Sequence, residues 1–237
     1  MTPAAGTISQ NLEAVIERIH RAAAVAGRKP DEIRLIAVSK YMTPDLVRQA
    51  IAAGQRCFGE NTVQDAQTKQ QLLDDPATEW HFIGHLQSNK ARFIPGNFAW
   101  LHTLDSLKLA TRLSGCISVT TPALNVLLQI NIADDPAKSG LSASRVYPFV
   151  DEFLRTELPG IRLRGLMTIG RSAASPEERR RDFSALRDLR DRCAARFGAD
   201  HFQELSMGMS SDFEIAIAEG ATMVRVGTAI FGARPVH

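Results

Sequence analysis

Eight short apolar runs, each followed by a helical segment, constrain this chain more than any other feature of its sequence. The predicted strands are LIAVS at 35–39, RCFG at 56–59, WHFIG at 80–84 and WLHTL at 100–104. They continue with ALNVLLQINI at 123–132, LRGLMTI at 163–169, FQELS at 202–206 and TMVRVG at 222–227. Several are apolar on consecutive residues, as strands buried on both faces are. Helical segments separate them, with apolar residues at 3.6 spacing. A helix at about 8–27 precedes the first strand, with Ile8, Leu12, Val15, Ile16 and Ile19 on one stripe and Gly27 as its stop. Thr43-Pro44 opens a helix over 44–53, and Ser175-Pro176-Glu177-Glu178 opens the long one after strand six. Further helices are predicted over 61–74, near 87–93, and over 106–116 and 143–156. The last, over 211–219, carries Ser211 and Glu214 as a capping box.

Alternating strands and helices on short loops imply right-handed crossovers and a parallel sheet. Eight such units in 237 residues fit a single (β/α)8 TIM barrel spanning 1–237 with the extra N-terminal helix. An open doubly wound sheet is the alternative, but no G-x-G-x-x-G follows the first strand.

The composition excludes several function classes. Net charge is only +2, so no polyanionic partner such as nucleic acid is indicated. EERRRDF at 177–183 reads as a solvated helix face. Three cysteines without a C-x-x-C fit a reducing compartment, with neither a disulfide framework nor a zinc finger. Cys57, Met207 and Met209 read as packing residues. No apolar run reaches membrane-spanning length and no secretory leader is visible, which points to the cytoplasm.

In a barrel the site gathers where strands end. Those positions are rich in polar residues and glycine: Ser39-Lys40, Gly59-Glu60-Asn61, Gly84-His85, Asp105, Asn131 and the loop to Lys138, Met167-Thr168, Ser206-Met207-Gly208, then Arg225, Gly227 and Thr228. Lys40 is an amine at the mouth of strand one. The turns after strands seven and eight are where barrels commonly hold phosphate, on backbone N–H groups at helix N-termini. An amine opposite a phosphate cradle is what pyridoxal 5′-phosphate requires. His81 and His85 lack any metal-ligand pattern, so no metal is expected.

The segments AVSK, GENTVQDAQTK, WHFIGHLQSNK, GLMTIG and LSMGMSSDFEIAIAEGATMVRVGTAIFG resemble the pyridoxal phosphate homeostasis proteins, the YggS/PROSC family, from about residue 8 to 233. The resemblance implies a barrel like the alanine racemase N-terminal domain. It implies a protein that holds pyridoxal phosphate as a Schiff base on Lys40 and delivers it to apoenzymes, keeping vitamin B6 and amino-acid pools balanced without established catalysis. It implies Ser206, Gly227 and Thr228 as phosphate ligands and Arg225 as the residue facing the pyridine nitrogen. Asn61, His85 and Met167 match motifs near the cofactor, and Lys138 is an implied further acceptor. Members often carry a second lysine two residues after the first; here that position is Met42.

Burial and a neighbouring Arg225 should lower the pKa of Lys40 and favour its attack on an aldehyde. An arginine at the ring nitrogen leaves a weak electron sink, since it cannot accept the proton. Racemisation, the alternative activity, needs a second acid/base. The only tyrosines are Tyr41 and Tyr147, and Tyr41 on a strand would point away from Lys40. The missing partner-derived domain implies a monomer.

Overall fold

A computed structural model describes residues 6–171 and 173–233. Eight parallel strands close into a barrel in chain order: β1 (Arg34–Val38), β2 (Cys57–Glu60), β3 (Glu79–Phe82), β4 (Trp100–Leu104), β5 (Leu124–Gln129), β6 (Ile161–Met167), β7 (Glu204–Ser206) and β8 (Met223–Val226). The seam is a parallel ladder between β1 and β8, from Arg34 opposite Met223 to Ala37 opposite Val226. The helices are α1 (Ile8–Val25), α2 (Pro44–Ala52), α3 (Val63–Leu73), α4 (Leu107–Ser114), α5 (Val146–Arg155), α6 (Pro176–Phe197), α7 (Phe213–Ala218) and α8 (Thr228–Phe231). The closed ring excludes the open-sheet alternative.

Two apolar regions follow from strand alternation. The larger lies between strands and helices, and includes Ala37, Phe58, Leu101, Val126, Leu205 and Val224. The smaller, of Ile36, Trp100, Leu127, Met167 and Met223, draws on five strands and no helix, so it fills the bore. At about 25 cal/mol per Å², a buried Leu or Phe in either region contributes about 1.5–3 kcal/mol. The helix α1 packs outside: Asn11 donates to the Ile230 carbonyl at 2.8 Å, and Arg18 pairs with Glu214 at 2.6 Å.

The short helix expected near 87–93 is present as a 3-10 helix, Ser88–Phe93. Three other local readings change. The helix predicted over 143–156 begins as a 3-10 turn, Ala143–Arg145, and becomes α5 only at Val146. The strand predicted to reach residue 132 stops at Gln129, because Asn131 turns its side chain into the loop and bonds the Asp135 N–H and carbonyl. The Ser211–Glu214 capping box does not form: α7 starts at Phe213 without a side-chain cap. Arg18 holds Glu214, and Asp212 instead accepts the Met209 N–H at 2.7 Å. The box predicted at Ser175 is present, with Ser175 and Glu178 exchanging bonds at 3.2 and 2.8 Å.

Candidate functional site

The strand ends surround a cavity of about 480 Å³ at the C-terminal mouth of the barrel. Lys40 and Arg225 supply two basic side chains, and Ser210, Ser211 and Thr228 supply hydroxyls. Gly227 contributes backbone, and Val38, Ile83 and Met209 an apolar wall. A second hollow of the same volume lies outside the barrel, against Arg18, Val25, Arg180 and Ile215. It holds no primary amine and lies away from the strand ends, so the chemistry belongs to the first.

Lys40 sits two residues beyond β1, half-buried, and the chain turns sharply after it. Tyr41 has φ +65°, the left-handed region, and is exposed, so the expectation that it sits on a strand pointing away is corrected: it is a turn residue. Ser39 is fixed from both sides. Its hydroxyl donates to Glu60 at 2.6 Å, and its carbonyl accepts from Lys69 at 2.7 Å. Lys69 and Glu60 are fully buried and pair at 2.7 Å, with Asp65 adding a second carboxylate at 3.0 Å. Burial pushes the Glu60 carboxyl up to about 7, against the pull of Lys69 and Ser39. Its second oxygen, Oε2, lies buried with no hydrogen-bond partner among the described residues.

Across the cavity, Gly227 precedes α8. A Cβ there would meet the Val38 carbonyl at 3.2 Å, a tight contact, so the β8 turn lies close against β1. The Ser210 hydroxyl accepts from the N–H groups of Gly227 at 3.3 Å and Ala229 at 3.5 Å. Arg225 forms the floor. Its Nη1 donates to Ser206 Oγ at 2.6 Å and its Nη2 to the Thr168 carbonyl at 2.9 Å. Burial lowers its pKa to about 10, partly offset by Asp212, and it stays cationic at neutral pH.

The cavity thus joins Lys40, Arg225, Gly227 and Thr228, and leaves four other predicted residues out of its lining. Ser206 is fully buried beneath Arg225, bonded to Arg225 and His102. The hydroxyl that meets the Gly227 and Ala229 amides is that of Ser210. Met167 packs in the bore with Ile36, Trp100, Leu127 and Met223. His85 is exposed on the loop after β3. Asn61 lies with its backbone carbonyl pressed against Gly84, where a Cβ would come within 2.1 Å of it. Lys138 lines a separate hollow of about 200 Å³ and donates to the Gly170 carbonyl at 2.8 Å. Sequence reasoning missed Ser210. The run SMGMSSD offers three serines: Ser206 ends β7 and Ser210 lies in the turn beyond it, where its hydroxyl meets the Gly227 and Ala229 amides.

Beneath Arg225 the bore is polar. His81 and His102 are fully buried and bond each other at 3.0 Å. Burial holds both below the usual histidine range, and cationic neighbours add to this for His102. Folded His102 therefore binds fewer protons than unfolded His102 below pH 6.5, so its contribution to stability is lost as pH falls from there. Glu60, with its raised pKa, acts in the opposite sense. Denaturant titrations at pH 7.5 and 5.5 should therefore compare wild type with His102→Gln. The wild-type decline should exceed the variant's by about 1 kcal/mol. Equal declines would contradict the buried neutral ring.

Among the described residues, no helix is long and apolar enough to cross a membrane. The alanine racemase N-terminal domain family model matches residues 10–235. The chain is 47% identical over 233 residues to the pyridoxal phosphate homeostasis protein of Escherichia coli K12, covering 96% of this chain and 97% of that one. The protein of the same name from Pseudomonas aeruginosa is 46% identical over 228 residues, covering 96% of each. PipY of Synechococcus elongatus, solved with PLP bound, superposes with a TM-score of 0.80 at 38% identity, covering 91% of this chain and 100% of that one. Alanine racemase from Corynebacterium glutamicum, at 20% identity and a TM-score of 0.66, shares the fold, and this chain covers 62% of it. With identity of this order over nearly its whole length, the chain belongs to the pyridoxal phosphate homeostasis protein family, built on the alanine racemase N-terminal barrel.

Proposed function

We propose that this protein binds pyridoxal 5′-phosphate at the barrel mouth and serves vitamin B6 and amino-acid homeostasis as a carrier rather than as an enzyme. The observation that carries this reading is one cavity with a primary amine, a buried cation and a glycine cradle on different strands. When bound, the cofactor supplies an aldehyde that condenses reversibly with an amine, and a phosphate that needs donors. Lys40 is the one lysine among the cavity's lining residues and would hold the aldehyde end. The hydroxyls of Ser210 and Thr228, with the backbone of Gly227 and Thr228, would hold the phosphate. The residues fit this group in that a lysine amine, hydroxyls of Ser210 and Thr228 and the Gly227 backbone line one cavity.

Arg225 bears on inertness. It is a permanent donor that cannot take a proton from a ring nitrogen, so it would leave the ring a weak electron sink. Neither Tyr41 nor Tyr147 is among the lining residues. Tyr147 packs instead against Phe197, at 5.9 Å between ring centroids. These features support carriage over racemisation.

The test is borohydride reduction of the protein loaded with pyridoxal phosphate, followed by peptide mapping. Modification should fall on Lys40. Modification confined to other lysines, Lys138 included, would remove the basis of the reading. Solvent-deuterium exchange at Cα of L- and D-alanine should show no sustained turnover; sustained exchange would make the protein a racemase.

A further inference from the structure

A line of hydrogen bonds runs along the bore from Arg225 toward its opposite end. Arg225 Nη1 meets Ser206 Oγ at 2.6 Å. Ser206 Oγ meets His102 Nδ1 at 2.9 Å, a bond that crosses the bore from β7 to β4. His102 Nε2 meets His81 Nδ1 at 3.0 Å, and His81 Nε2 meets Glu79 Oε1 at 3.0 Å. Ser206, His102 and His81 are all fully buried.

The two ends dictate every proton between them. An arginine only donates, and an ionised carboxylate only accepts. The hydrogen bond from His81, and the Arg34 guanidinium nearby, hold Glu79 below the usual carboxylate range. Each neutral imidazole offers one donor and one acceptor. Glu79 must accept, so His81 carries its proton on Nε2 and presents a lone pair at Nδ1. His102 must then donate from Nε2 and accept at Nδ1. Ser206 must donate its proton to His102, which leaves its oxygen facing Arg225 as an acceptor alone. Any reversed ring would set two N–H groups or two lone pairs face to face at about 3 Å.

We infer that His81, His102 and Ser206 form a one-directional relay that pins Arg225 at the cavity floor, which makes the two histidines positioning residues for the cofactor site. Ser206 fixes Nη1 and the Thr168 carbonyl fixes Nη2, so the guanidinium cannot swing away from the cavity. A single polar group placed in the bore would not do this, because an unanchored serine hydroxyl can rotate and present its proton. The relay removes that freedom. Its far end also holds Cys57, whose thiol lies 3.8 Å from Glu79. Cys57, Glu79 and His81 place their donor atoms within 4.8 Å of one another. A cation held there would require an unprotonated His81 Nε2 and would reverse the chain.

Long-range proton–nitrogen NMR on histidine-labelled protein, without cofactor, tests the direction. Both rings should carry the proton on Nε2 and none on Nδ1 at neutral pH. An Nδ1–H tautomer on either ring, a doubly protonated ring, or a His81 Nε2 stripped of its proton by added zinc at equimolar concentration would overturn the relay. This arm does not depend on the cofactor reading.

The second arm rests on that reading and measures retention of pyridoxal phosphate. His102→Leu should weaken it about tenfold. His102→Gln, whose amide offers one acceptor and one donor, should restore it to within about twofold. Equal weakening by both variants, or none by either, would overturn the positioning role. If His102→Leu does not fold, Ser206→Ala replaces it, with the same tenfold loss expected and no loss counting against the relay. If wild type shows no bound cofactor at all, the site reading fails while the tautomers still decide the relay.

Discussion

Lys40→Ala should abolish the visible absorption of protein mixed with pyridoxal phosphate and leave nothing for borohydride to trap at the barrel mouth. No other lysine is among the residues lining that cavity, so no neighbouring amine takes over. Met42, where relatives often carry a second lysine, is buried and has no amine to offer. Loss of attachment should not mean loss of all affinity. The Gly227 backbone and the Ser210 and Thr228 hydroxyls remain, so weak phosphate-dependent binding should persist, and inorganic phosphate should compete with it. The fold should be unaffected, since Lys40 lies in a turn beyond β1 rather than in the core. An unchanged visible band in the variant would mean that the attachment site lies elsewhere.

The second large effect lies one layer behind Lys40. Lys69→Met should destabilise the protein by about 3–5 kcal/mol, because it leaves Glu60 buried with Ser39 as its one remaining donor. For a chain of this size that is a fall in Tm of about 6–20 °C. The loss should depend on pH with a definite sign. Glu60 already titrates near 7, and without Lys69 its protonated form is favoured further. The variant should therefore be weakest relative to wild type at pH 8 and closest to it near pH 5. Adding Glu60→Gln should recover much of the loss, since a neutral amide replaces the stranded charge. A drop below about 1 kcal/mol at pH 8 would mean that the ion pair contributes little. Because Lys69 also holds the Ser39 carbonyl, the single variant should loosen the backbone that carries Lys40.

The barrel was legible in the sequence because its strands are buried on both faces. Runs such as LIAVS and VLLQ have no polar side to hide, and the helices between them do. Lys40, Gly227 and Thr228 were legible because strand ends in a barrel converge wherever the strands themselves begin. What the sequence hid depends on parity and on partners far along the chain. Ser206 closes a three-residue strand and bonds into the bore, whereas Ser210 lies in the turn beyond it, and only the fold brings that turn to Gly227. His81 and His102 sit inside apolar runs, where an isolated polar residue gives no hint of a bonding partner on another strand. Lys69 reads as one more polar residue of α3, and only the fold brings it to Glu60. The Ser211–Glu214 box failed for the same reason: Arg18, near the other end of the chain, had first claim on Glu214.

The β1–β8 seam has a consequence for how the protein is made. Lys40 and Gly227 line one cavity beside the join between the first and last strands of the barrel, a pairing of very long sequence separation. Such contacts carry the largest loop-closure cost and form late. A ribosome-bound chain lacking its last strand therefore has an amine without a cradle. Ring closure and competence to bind the cofactor arrive together, so uptake of pyridoxal phosphate by a refolding sample should time the zipping of this seam rather than the earlier collapse of the helices.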